Sequence, residues 1–222
     1  MGGPPLPASP DRRMKETPEV AALYAGVAKV LDTLCPNGRR VGDCKHGVYL
    51  FYDYDREPIY VGRTREKLRT RIRRHLTNQR TDAVAMSVLD PFEVADIELW
   101  PFWDMPTSRA EVDDILHRAE YTVYQRALEQ SAFKVILNEA EIPATDLIPL
   151  PPSVKASILG GEARRQREHP DVRLARRART IANLARVISE RKVKVGIRRT
   201  LWAQARRLDR LAEKRLKEFN GG

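Results

Sequence analysis

Hydrophobic positions recur at two spacings along the chain and predict a mixed α and β protein. Helical spacing marks 17–34, 65–76 and the stretch that follows Ser108, which with Glu111 forms a capping-box pattern. Aromatic and β-branched runs mark three short strands at 47–52, 59–61 and 93–102. This order predicts an α+β fold: a small three-stranded antiparallel sheet flanked by helices, with an N-terminal helix and a C-terminal basic helical extension.

Changes in composition divide the chain into five predicted segments. Residues 1–16 are predicted to be a disordered lead, and 17–45 an N-terminal helical segment. The α+β domain is predicted at 46–140. A proline-rich stretch at 141–160 predicts a linker or an arm that wraps the domain, and 161–222 predicts basic amphipathic helices.

The positive charge is concentrated in the last segment. The net charge of +10 arises from 19 Lys/Arg against 7 Asp/Glu in 161–222, whereas 1–160 is nearly balanced. Such asymmetry indicates contact with a polyanion, and double-stranded DNA is the partner we expect. A solvated helical tail and a ribosome-like basic extension are the alternatives. The candidate phosphate contacts in this segment are Arg173, Arg176, Arg177, Arg198 and Arg199.

The spacing of two cysteines and the absence of long apolar runs indicate the cellular compartment that we expect. Cys35 and Cys44 have neither CxxC nor zinc-cluster spacing, so we expect reduced thiols. No run of about 18 apolar residues predicts a membrane span, and the N-terminal stretch lacks the apolar core of a signal peptide. We therefore expect a cytoplasmic protein with no membrane partner.

Two aromatic tripeptides precede a basic helix. Tyr49 ends the first and Tyr60 begins the second, and a register that pairs 50 with 59 would set the two tyrosines opposite each other. On the helix, Arg71 and His75 are four residues apart and share one face. Each residue also has an ordinary interpretation, as strand packing for the tyrosines and as solvated helix surface for the other two.

The segment GVY, a short hairpin, YVG and an arginine-bearing helix together resemble the GIY-YIG nuclease family, with one conservative Ile-to-Val change in each tripeptide. The resemblance implies that Tyr49, Tyr60 and Arg71 are catalytic. His75 lies where members carry a tyrosine or, in some restriction enzymes, a histidine. Arg63, just after YVG, occupies a position that is often basic and implies a phosphate contact.

The resemblance extends less specifically to about residue 140. It implies that Glu120 is the metal-holding glutamate of a later helix and that Asn138 is the asparagine that follows it. The Glu120-to-Asn138 gap is longer than usual, and the proline common before that asparagine is absent. Glu129 is therefore a rival carboxylate.

The resemblance implies hydrolysis of a DNA phosphodiester by a metal-dependent endonuclease. Glu120 would hold Mg²⁺ (or Mn²⁺), Arg71 would bind phosphate, and Tyr49 would deprotonate or position the attacking water. His75 could relay the proton, Tyr60 would position water or phosphate, and Asn138 would tie the hydrogen-bond network together. All of these groups are expected to converge on one scissile phosphate.

The biological class stays open between several alternatives. A restriction-type or mobile-element enzyme is the first, and it would act as a homodimer or in pairs because one such site cuts one strand. A structure-directed repair nuclease, a non-catalytic nucleic-acid-binding protein with this fold and a structural basic protein are the others.

Overall fold

The structure is a computed structural model that describes residues 17–76, 89–138 and 140–220. The predicted disordered lead at 1–16 lies outside the described residues. The described part holds six α-helices and four β-strands: α1 Pro18–Leu31, β1 Gly47–Tyr52, β2 Pro58–Thr64, α2 Leu68–Leu76, β3 Asp96–Pro101, α3 Arg109–Gln130, β4 Val154–Ser157, α4 Gly161–Glu168, α5 Pro170–Glu190 and α6 Val195–Asn220, with short 3-10 turns at Val41–Asp43 and Pro91–Glu93.

The helix starts follow local capping chemistry. Thr17 caps α1, where its hydroxyl accepts from the Val20 amide, and Pro18 occupies the first turn, where its missing donor costs nothing. Ser108 also precedes a helix, as predicted, but its side chain makes no capping hydrogen bond, so the predicted capping box does not form.

The sheet is antiparallel in the order β2-β1-β3-β4 and confirms the α+β class. It has four strands where the sequence predicts three. The added strand, β4, lies inside the segment predicted as a linker or arm and pairs with β3, Leu99 opposite Val154. Alternating exposure in β4 gives it little hydrophobic signal, because it is a short edge strand.

The β1–β2 register differs from the predicted one by two residues. Tyr49 lies opposite Gly62, and Tyr60 lies opposite Phe51. A shift of two leaves every side chain on its predicted face, so both tyrosines share a face, but as diagonal neighbours. One residue of the shift comes from a longer turn at 53–57, in which the Asp53 carboxylate accepts from the amides of Asp55 and Glu57. The other comes from an irregularity in the pairing between Phe51 and Tyr52.

The two sheet faces carry separate apolar layers. One face packs against α1, α2 and the C-terminal helices, with Tyr49, Phe51, Ile97 and Leu99 at its centre. The other packs against α3 and includes Val48, Leu50, Val61 and Trp100. The proline-rich arm covers part of this second face, where Ile148 packs and donates its amide to Thr122.

The C-terminal helices are fastened to the sheet by buried ion pairs. One Asp53 carboxylate oxygen, in the β1–β2 turn, lies 2.8 Å from Arg177 and 2.9 Å from Arg207. Glu93 accepts from Arg177 at 3.0 Å, and Arg173 reaches the same carboxylates. We call these five residues the buried ion cluster.

This cluster corrects two sequence-based assignments. Arg173 and Arg177 were expected to contact DNA phosphates, yet both are buried and already hydrogen-bonded to carboxylates. Apolar residues of the same helices, including Leu184, Ile197 and Ala203, belong to the first core layer. The extension therefore packs as part of the same core.

Cys35 and Cys44 are buried free thiols, and burial raises the pKa of both. Within the residues described, no helix combines the length and the apolar character that crossing a bilayer demands.

Candidate active site

Tyr49 is the centre of a compact polar cluster under the sheet. Its side chain is fully buried, and its phenol oxygen accepts from Arg71 Nε at 3.2 Å. His75 Nδ1 lies 3.4 Å from the same oxygen. The buried stripe of Leu68, Ile72 and Leu76 fixes the rotation of α2, and this rotation directs Arg71 and His75 toward β1.

Gly62 provides the space that the Tyr49 phenol occupies. A β-carbon at this position would lie 2.5 Å from Tyr49 Cζ and from its hydroxyl oxygen, inside any acceptable contact. The glycine of the YVG tripeptide is therefore required by the close approach of the phenol.

Tyr60 completes a group of three rings. Its ring centroid is 4.5 Å from that of His75, edge to face, and 6.2 Å from that of Tyr49. Burial alone would lower the pKa of Arg71, but the Tyr49 hydroxyl and the nearby Tyr60 reverse this and raise it. Arg71 therefore stays fully charged beside two phenols.

Glu120 enters from the other face of the sheet. It lies on α3 and its carboxylate is 3.2 Å from Arg63 Nε, with 14% of the side chain exposed. Burial raises the pKa of Glu120, and the charges of Arg63 and Arg71 partly offset that rise. The rival Glu129 is exposed and lies nine residues, about 13 Å, further along α3.

The two halves of the site meet at the β2 edge. Tyr49 and Tyr60 project from the face that carries α2, whereas Arg63 and Glu120 lie on the face that carries α3. Arg71 links them, because it hydrogen-bonds to Tyr49 and its charge also acts on Glu120. A cleft of about 600 Å³ opens here, lined by Arg63, Thr64, Arg65, Glu66, Arg71, Asp113 and Leu116.

Asn138 holds the β2 edge from outside the sheet. Its side-chain oxygen accepts from the Val61 amide at 3.2 Å, and its side-chain nitrogen donates to the Val61 carbonyl at 2.8 Å. This two-point contact fixes the backbone between Tyr60 and Gly62. Asn138 thus acts on the position of the tyrosine rather than on the cleft directly.

Asp113 is a cleft residue that the sequence analysis missed. It pairs with Arg65 at 2.8 Å, and its carbonyl accepts from Arg63. Asp113 and Glu120 are seven residues apart, two helical turns, and so share one face of α3. This seven-residue spacing from Glu120 is the sequence feature that could have identified Asp113.

Residues 45–109 match the family model of the GIY-YIG catalytic domain. This segment is a GIY-YIG catalytic domain. The match confirms the resemblance seen in the two tripeptides, and a domain of this family implies a nuclease, a hydrolase of phosphodiester bonds that acts on DNA. Searches among curated proteins and among solved structures gave no match.

The family match ends where α3 begins. The roles of Glu120 and Asn138 therefore depend on the geometry above rather than on the family match.

GIY-YIG nucleases generally depend on a divalent metal, and the donor set of this cleft fits one held by a single carboxylate. Among the described residues no group of three His, Cys, Asp or Glu side chains could hold a metal by itself. Mg²⁺ needs no such group, because it keeps several waters and takes oxygens from substrate phosphate. Glu120, 14% exposed and in contact with the cleft residue Arg63, is the carboxylate that fits.

The remaining basic residues of the extension differ in exposure. Arg176 is half-buried, with its guanidinium 5.3 Å from the Phe92 ring centroid. Arg198 and Arg199 are exposed, and Arg199 pairs with Glu141. Of the five arginines expected to contact DNA, these last two are the most accessible.

Proposed function

We propose that the protein is a divalent-metal-dependent endonuclease that cuts double-stranded DNA, of the restriction or mobile-element type. The observation that carries this proposal is the chain of contacts from His75 through the Tyr49 phenol to Arg71, which lines a cleft together with Arg63, the partner of Glu120. We also propose that it acts in the cytoplasm, as a homodimer when both strands are cut.

The hydrogen bonds of the Tyr49 phenol allow a proton path. Arg71 donates Nε–H to the Tyr49 oxygen, and His75 Nδ1 lies 3.4 Å from that oxygen, where the tautomer of the imidazole decides which group donates. When His75 carries its own proton on Nε2, Nδ1 accepts the phenol proton, and the adjacent guanidinium stabilises the phenolate. Tyr49 is then the general base toward an attacking water, with His75 as its proton acceptor.

The substrate contacts come from cations at the cleft. Arg63 and Arg71 present planar, always-charged groups that match phosphate oxygens. Tyr60 packs edge to face with His75, and its hydroxyl would contact phosphate or water. A metal ion on Glu120 would supply Lewis-acid stabilisation of the charge on the phosphate.

A plasmid-cleavage assay with a matched pair of variants tests the proposal. Wild type and Glu129→Gln are expected to nick or linearise supercoiled DNA with Mg²⁺ or Mn²⁺. Glu120→Gln is expected to lose cleavage by at least about 100-fold, since one metal ligand is removed, while it still binds DNA. Cleavage by Glu120→Gln at the wild-type rate would remove Glu120 from the site, and loss in Glu129→Gln alone would assign the metal to Glu129.

A non-catalytic DNA-binding protein is the second candidate, and the Arg63–Glu120 ion pair favours it. In that pair the carboxylate is already neutralised by a guanidinium. DNA binding without cleavage under any divalent metal would support this candidate. Mapping product ends on plasmid and on branched DNA would separate site-specific cutting from structure-directed repair.

A further inference from the structure

An exposed tryptophan lies in a basic stretch that includes the first half of α6. Trp202 is 50% exposed, whereas Trp100 is 6% exposed in the core. Residues 191–208 contain seven Lys/Arg and no Asp or Glu. All seven except Arg207 are exposed. An indole of this size is seldom left in water without a partner, because it is large and mostly apolar.

Three arginines surround the indole on one face of the helix. Arg198 and Arg199 precede Trp202 by one turn, and Arg206 follows it by one turn. The Arg206 guanidinium lies 5.2 Å from the indole ring centroid, which fixes one flank of the ring. We call Arg198, Arg199, Trp202 and Arg206 the Trp202 face.

The Trp202 face lies near α3, the helix that carries Glu120. Arg199 pairs with Glu141, just after the Asn138 contact to β2. Burial raises the pKa of the Tyr124 hydroxyl, and the charge of Arg199 partly offsets this rise, so Arg199 also lies near α3. Tyr124 follows Glu120 by one helical turn on the same side of α3.

We propose that the Trp202 face binds the DNA substrate outside the cleft, with the arginines on phosphates and the indole stacked on an exposed base. The charge of the face favours DNA, because it offers three arginines against one neighbouring acid, the Glu141 partner of Arg199. Stacking on an aromatic ring is the usual partner of phosphate contacts when bases are unstacked. This inference rests on the proposed function only for the identity of DNA as ligand. An acidic protein is the competing occupant.

The test compares two exposed aromatics on one helix. Phe219 is 68% exposed and stacks against Arg215, but lies near the end of α6. With full-length protein, no divalent metal and a labelled DNA duplex that carries an unpaired base, fluorescence anisotropy gives the Kd. Trp202→Ala is expected to bind roughly 5- to 150-fold more weakly, and Phe219→Ala as wild type. Equal Kd values for wild type and Trp202→Ala, or equal weakening in both variants, would overturn the proposal.

Intrinsic fluorescence provides a readout that does not depend on affinity. The same DNA is expected to quench the emission of wild type at saturation, and this quenching is expected to disappear in Trp202→Phe, whose fold is checked by its thermal midpoint. An unchanged quench in Trp202→Phe would assign the signal to Trp100 or Trp103 and refute the stacking. Equal quenching of wild type by polyglutamate would assign the face to an acidic protein.

Salt dependence tests the arginines. The double variant Arg198→Gln/Arg199→Gln is expected to lower the slope of log K against log salt by up to about 1.8, from two lost phosphate contacts. Arg165→Gln, an exposed arginine paired with Glu162 on α4, is the charge control and is expected to leave the slope unchanged. Equal slopes in the double variant and wild type would exclude phosphate contacts at these positions.

These outcomes separate the inference from the proposed function. Binding with Trp202 quenching but no cleavage under any metal would reject the endonuclease and keep the Trp202 face. Cleavage without quenching of Trp202 fluorescence would keep the endonuclease and reject the Trp202 face.

Discussion

The buried ion cluster predicts a large stability cost for removing one charge, Asp53→Asn. Asp53 is 2% exposed, and its carboxylate accepts two charged hydrogen bonds, from Arg177 at 2.8 Å and from Arg207 at 2.9 Å. Asparagine keeps the shape and one acceptor for the turn amides. It then places an NH₂ donor opposite guanidinium donors, or turns its acceptor away from the turn.

The magnitude follows from burial. Removing one partner of a buried pair leaves uncompensated charge and costs about 3–5 kcal/mol. Two lost hydrogen bonds to charged groups, at about 1.5–3 kcal/mol each, give a similar range of about 3–6 kcal/mol. Against a total stability of about 5–15 kcal/mol this is a large fraction, and it corresponds to a fall in Tm of about 6–20 °C for a chain of this size.

Urea unfolding followed by far-UV circular dichroism measures the effect. Asp171→Asn is the matched control, because Asp171 also makes a two-point contact to one arginine, Arg215 at 2.9 and 3.0 Å, but at the surface. Exposed pairs are screened by water and salt, so its loss should be far smaller. A loss below about 1 kcal/mol for Asp53→Asn, or equal losses in the two variants, would refute the reasoning.

Two further predictions concern the site. Gly62→Ala is expected to lower kcat about 100-fold with DNA affinity unchanged, because its β-carbon displaces the Tyr49 phenol. Gly160→Ala is the control and should cut normally, because no atom lies within 4 Å of its β-carbon. A wild-type rate for Gly62→Ala would contradict the close approach of the phenol to Gly62. Arg63→Gln removes a charge that lowers the raised pKa of Glu120, so that pKa rises further and the protonated acid persists to higher pH. Mn²⁺ binding followed by electron paramagnetic resonance, without DNA, should therefore reach half its plateau at a higher pH than in wild type, and an unmoved midpoint would mean that Arg63 does not act on Glu120.

The sequence alone determined the catalytic segment, because its signals are local. Strand β1 was predicted with its observed bounds, and side-chain alternation placed Tyr49 and Tyr60 on one face even though the register was off by two. The four-residue spacing of Arg71 and His75 put both on one side of α2. Spacing suffices for the contacts within one helix, whereas the shared face of the tyrosines survived because the register differed by an even number of residues.

Only the tertiary structure decided which arginines of the basic extension are buried and which are exposed. In the sequence Arg173 and Arg177 are indistinguishable from Arg198, yet the first two are buried against Asp53 and Glu93 and the third is exposed. The pairing joins residues more than 80 positions apart. No local pattern records which carboxylate will meet which guanidinium, because that depends on where α5 and α6 pack against the sheet. Edge strand β4 was not predicted, for the same reason: its four residues become a strand only because β3 offers a free edge.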